Sequence, residues 1–112
     1  MQKLPANFLI IFFISLSGSV ALFAQTTNYR LQKADSLFEA RRYTQALNHF
    51  QVMLDNNQYT PAMLLKMAYI NEALGKIAEA QYFLNLYYLA TNDDSVLEKM
   101  EELALAHGLE GY

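Results

Sequence analysis

From Asn28 onward the apolar residues recur at helical spacing, in five blocks separated by short polar or glycine-bearing breaks. The first block, about Asn28 to Arg41, carries Leu31, Ala34, Leu37 and Phe38 on one side. The second, about Thr44 to Asp55, carries Ala46, Leu47, Phe50, Met53 and Leu54, with Thr44 as its N-cap and Asn56-Asn57-Gln58 as the turn after it. The third opens on Thr60-Pro61, a capping hydroxyl followed by a proline whose missing N–H costs nothing in a first turn, and runs to about Leu74. Gly75 stops it, because glycine enters the left-handed region cheaply. The fourth, about Ile77 to Ala90, is apolar nearly all round. It must be sandwiched or face a partner, and Tyr82, Tyr87 and Tyr88 read as packing residues within it. Thr91-Asn92-Asp93-Asp94 caps a fifth, with Val96, Leu97, Met100, Leu103 and Ala104 as its stripe and Gly108 as its end. No alternating strand pattern persists, so the class expected is all-α.

The blocks are related. A shift of 34 residues sets Tyr43 on Ile77, Ala46 on Ala80, Phe50 on Leu84, Leu31 on Leu65, Ala34 on Ala68 and Val52 on Leu86. Two helices cross closely only where a small residue lets the backbones approach. Ala34 and Ala46 serve one helical pair, Ala68 and Ala80 the next, and Phe50 and Leu84 fill the space between pairs. The fifth block follows at a shift of 33, with Leu64 on Leu97, Met67 on Met100 and Gly75 on Gly108. Glu101 then falls where Ala68 would be, and burying a carboxylate there costs several kcal/mol if it is unpaired. The fifth helix is therefore expected to be a cap with a polar outer face.

At these residues the chain resembles the tetratricopeptide repeat family, whose period and small–large pattern are the same. Tyr43-Thr-Gln-Ala46-Leu-Asn-His-Phe50 looks like the start of that family's second helix, and Leu74-Gly75-Lys76-Ile77 like its inter-helix turn. The resemblance implies two antiparallel helix hairpins, about 27–57 and 61–91, stacked as a short right-handed solenoid, with a capping helix at about 93–107. There are departures. Arg30 and Lys33 stand where the second repeat has Leu64 and Met67, so the first helix is expected to be only partly covered. Arg41 stands in the place of Gly75, which puts the same tight turn in doubt.

The resemblance also implies a concave face, lined by the first helices of successive hairpins, that holds an extended peptide or a helix. Position by position it falls here on Asn28, Leu31, Asp35, Phe38, Ala62, Leu65, Lys66, Tyr69 and Glu72. Lys66 can donate to a carbonyl or carboxylate, and Tyr69 offers a rigid amphipathic surface. The plain alternative is that this face is only solvated, or covered by neighbouring helices.

The first 24 residues have another character. A polar start with Lys3, the apolar run Phe8-Leu-Ile-Ile-Phe-Phe-Ile14 and a small residue at Ala24 are the marks of a secretory signal peptide. The alternative is a retained membrane anchor, since about 17 residues sit at the short edge of a span. The location expected for such an exported chain is the periplasm or cell envelope of a Gram-negative bacterium. The leader-plus-repeat layout resembles repeat-bearing components of Bacteroidetes-type membrane complexes. On that reading the chain is the N-terminal segment of something larger, because it stops where a further second helix would begin. Two repeats and a cap lie near the roughly three repeats that independent stability needs, and a homodimer would supply the missing contacts.

Composition narrows the chemistry. There is no cysteine, so there is no disulfide and no thiolate metal site. A formal net charge of −3, made more negative by loss of Lys3, lacks the basic footprint a phosphate backbone demands, and nucleic acid is not an expected partner. The two histidines, His49 on an outer helix side and His107 in a last turn, have no nucleophile beside them. Asp93, Asp94, Glu98, Glu101 and Glu102 lack the spacing and central glycine of a calcium loop. No catalytic residue, metal or cofactor is expected; a small enzyme is the remote alternative. The expected function is protein or peptide binding by an exported adaptor.

Overall fold

The computed structural model describes residues 25–108. The expected leader lies outside them. Every regular element among the described residues is a helix: α1 (residues 25–39), α2 (Tyr43–Asp55), α3 (Pro61–Ala73), α4 (Ile77–Thr91) and α5 (Ser95–His107). The all-α class stands as expected. In α1, residues 25–27 are already helical, ahead of the start expected at about Asn28. No glycine or proline interrupts that stretch, and polar side chains alone do not stop a helix.

The helix ends follow local chemistry. The Thr60 hydroxyl accepts from the Met63 N–H at 3.3 Å, and Pro61 occupies the first helical position. Gly75, at φ +77°, donates to Glu72 O at 3.0 Å, while Lys76 N–H reaches Asn71 O at 2.7 Å. This is the paired reverse bond of a Schellman turn. The same pair of bonds closes α1. Arg41 N–H reaches Phe38 O at 3.0 Å and Arg42 N–H reaches Leu37 O at 2.9 Å. Arg41 is at φ +60°, so the turn that had been in doubt forms without its glycine. It also displaces the expected cap. The turn makes Tyr43 the first residue of α2, with Arg42 before it and no side-chain cap, so Thr44 is already inside the helix. At α5, Asp93 and not Asp94 does the capping. Its Oδ1 accepts from Ser95 N–H at 3.0 Å and its Oδ2 from the Tyr87 hydroxyl at 2.8 Å. These bonds, Ser95's first, hold the Asp93 carboxyl below its ordinary pKa. The hydrogen bond to Asp93, with burial second, pushes the Tyr87 phenol up.

Small residues sit at the packed positions. Ala34, Ala46 and Ala80 are fully buried and Ala68 is 3 % exposed. Phe50, Met53, Met63, Leu64, Met67 and Ile70 are each under 2 % exposed, and burying such a side chain stabilises by roughly 1.5–3 kcal/mol. The helix covered on most sides is α3, packed on both α2 and α4. For α4 the expectation was a helix either sandwiched or facing a partner, and the structure does not cover it all round. Instead α4 buries Ala80, Gln81, Phe83 and Leu84 but leaves Tyr82 and Leu89 54 % and 66 % exposed. Tyr82 is therefore not a core residue, whereas Tyr87 and Tyr88 are half-buried against the core. Two buried amides went unforeseen. Asn71 donates to Met67 O at 2.8 Å, within its own helix. Gln81 donates to Met100 O at 2.6 Å and ties α4 to α5, with its own Oε1 left without a partner.

Candidate interaction face

The residues expected on the concave face come from α1 and α3, and the structure brings most of them together. Lys66 Nζ lies 2.8 Å from Asp35 Oδ1, joining α3 to α1. The same ammonium lies 5.7 Å from the centre of the Phe38 ring. Phe38 meets Tyr69 edge-on at 5.6 Å, and Tyr69 meets Tyr43 at 5.9 Å, also edge-on. Phe38 and Tyr43 are 6.0 Å apart, which closes a triangle of rings with centroids inside the 4.5–7 Å range of favourable aromatic pairs. Tyr69 remains 54 % exposed at the centre of this patch, and Leu65 is exposed beside it. A hydrogen bond to Tyr69, with burial second, raises the Tyr43 phenol above the usual tyrosine range.

Glu72 is not grouped with these. Its Oε1 takes Lys99 Nζ at 3.1 Å, which joins α3 to α5. Leu31 is half-buried against the core, so it supports the face more than it lines it. Lys66 is anchored to Asp35, yet an ammonium has three donors and this bond occupies one. The lysine is thus held in place while still able to bind. Both ion pairs are about a third exposed or more and contribute little to stability, of the order of 0–1 kcal/mol each; their effect is to fix geometry.

Sequence reasoning missed Lys99 and the two acids' partners. The signal was present for Lys99, which falls on Lys66 at the shift of 33 that relates the fifth block to the third. It also missed a shallow apolar concavity of about 250 Å³ lined by Tyr59, Leu64, Leu86, Leu89 and Ala90, away from the expected face. His49 is half-buried with Arg30 Nη1 3.4 Å from its Nδ1, a link between α2 and α1. His107 is exposed in the last turn of α5. Among the described residues no group of three or more histidine, cysteine, aspartate or glutamate side chains could hold a metal ion, and no helix is long and apolar enough to cross a membrane. Comparison with models of known families, with curated proteins and with solved structures finds no match to this chain.

Proposed function

We propose that this chain is an exported adaptor of tetratricopeptide type, in which α1–α2 and α3–α4 are successive hairpins of a short right-handed solenoid, α5 closes it, and the α1/α3 face holds a peptide or helix of a protein partner. Three observations support the repeat. The alanines at the expected crossings are buried, the same reverse turn ends α1 and α3, and ion pairs from equivalent lysines link α1 to α3 and α3 to α5. The observation that carries the function is the patch of Phe38, Tyr43 and Tyr69 beside an anchored Lys66. Tyrosine is among the residue types that dominate protein-binding energy, and Lys66 sets a charge of fixed position beside these rings.

The patch fits a segment that offers an apolar side chain to Tyr69 and Leu65 and a carboxylate or carbonyl to Lys66. The test is crosslinking capture from cell-envelope extracts with the wild-type chain, with Lys66→Glu/Tyr69→Ala, and with Asn48→Ala, exposed on α2 outside the ring triangle, as control. The proposal expects one protein recovered by the wild type and the control and lost from the double variant. Recovery of the same proteins by all three would overturn it. Sequencing the N-terminus of the protein recovered from the envelope tests export and cleavage near Ala24 at the same time.

A further inference from the structure

Equivalent stripes on α1, α3 and α5 are not equally covered. On α5, Val96, Met100 and Leu103 face α4, the helix before it; Val96 and Leu103 are buried, and Gln81 of α4 holds the Met100 carbonyl. Their counterparts on α3 are Met63, Met67 and Ile70, all buried. On α1 the same three places hold Tyr29, Lys33 and Ser36, and all are exposed, Tyr29 at 69 %. A second stripe faces the helix that follows. On α1 it is Arg30, Ala34 and Leu37, set against α2 through His49. On α3 it is Leu64, Ala68 and Asn71, all buried. On α5 it is Leu97, Glu101 and Ala104; Leu97 is 43 % exposed, Glu101 is exposed and Ala104 half-buried.

Among the described residues the first stripe is thus open on α1 and the second on α5, whereas both are buried on α3. The two open faces lie on opposite sides of α3, whose Lys66 reaches α1 and whose Glu72 reaches α5. The faces complement each other. Each is a three-residue stripe at the same helical spacing, with a charge in the middle: Lys33 on α1, Glu101 on α5. Neither charge has a partner among the described residues. Run antiparallel, the two helices set Lys33 opposite Glu101, with Tyr29 against the small Ala104 and Leu97 against the small Ser36. Glu98 and Glu102, exposed beside Glu101, extend the negative field on α5.

We propose that this chain binds a second copy of itself head to tail, the α1 face of one copy covering the α5 face of the next through a Lys33–Glu101 pair. Such an interface is heterologous, so it continues beyond a dimer into a ring or an open filament. The register rests on the helix equivalence proposed above. The failure of one proposal is distinguishable from that of the other, because partner capture reads Lys66 and Tyr69 on a different face.

The test is the mass of the full chain in solution by sedimentation, as a function of concentration and salt. A mild non-ionic detergent in every sample prevents association through the apolar leader. The wild type is expected to grow in mean mass with concentration and to shrink as salt screens the pair. Lys33→Glu and Glu101→Lys, both at exposed positions and checked for unchanged helicity, are each expected to associate about tenfold or more weakly, since each sets like charges opposite. An equimolar mixture of the two restores opposite charges at every contact and is expected to regain the wild-type behaviour. A wild type that stays monomeric at about 1 mM, a mass that stops at a dimer, or a mixture no better than its components would each overturn the proposal.

Discussion

Gly75 and Arg41 end α3 and α1 with the same turn, yet they should respond oppositely to substitution. A side chain at φ above zero costs roughly 1–2 kcal/mol in backbone strain. Replacing glycine by alanine also narrows the unfolded ensemble, which returns roughly 0.4–1 kcal/mol. A Cβ at Gly75 meets nothing within 4 Å, so no steric cost is added. Gly75→Ala should therefore destabilise by about 1 kcal/mol, and Arg41→Gly, run through the same terms in reverse, should stabilise by a similar amount. For a domain of this size 1 kcal/mol corresponds to roughly 4–8 °C in Tm. Urea and thermal unfolding followed by far-UV circular dichroism read both, with the urea slope unchanged if only the native turn is affected. Shifts in the same direction, or a neutral Gly75→Ala, would refute the claim that the two turns are equivalent.

Other substitutions test other parts of the structure. Phe50→Ala removes a fully buried ring and should cost about 3–5 kcal/mol, enough to leave much of so small a domain unfolded at 37 °C by circular dichroism. Thr60→Ala removes the α3 cap and should cost about 1 kcal/mol in urea unfolding, while Thr44→Ala, at a position that caps nothing, should cost less. Asp93 has a folded pKa below its unfolded value. Its stabilising effect is complete above about pH 4 and fades as pH falls through the lower, folded value, so Asp93→Asn should flatten the acid limb of a stability–pH curve. Tyr87 has the opposite sign: its contribution is complete below about pH 10 and fades above, and Tyr87→Phe should flatten the alkaline limb.

Much of the fold was legible because local chemistry encodes it. Thr60-Pro61, Gly75 and Gly108 mark helix ends by rules that involve only neighbouring backbone, and the recurrent alanines mark buried positions by size. Arg41 was not legible because a non-glycine residue at positive φ carries local strain, and residue type alone argues against it there. Thr44 misled in consequence: its capping propensity yields once Arg41 and Arg42 have set where α2 begins. Tyr82 reads as core by type, but whether an aromatic on an apolar helix faces the core or solvent depends on which neighbours arrive, and α4 has none on that side among the described residues. Of the candidate face, the residue types were readable and their pairing was not. Asp35 and Lys66 lie 31 residues apart and Glu72 and Lys99 27 apart, and such pairings appear only when the helices are set side by side.

The central claim is that α1, α3 and α5 occupy equivalent places in a regular stack. A chain without cysteine accepts spin labels only where cysteines are introduced. Glu39, Ala73 and Ala106 are equivalent exposed positions in the last turns of those helices. Label distances for Glu39→Cys/Ala73→Cys and Ala73→Cys/Ala106→Cys, taken in dilute solution, should be alike, and that for Glu39→Cys/Ala106→Cys should come close to their sum. Inner distances that differ widely, or an outer distance no longer than either of them, would contradict the stack.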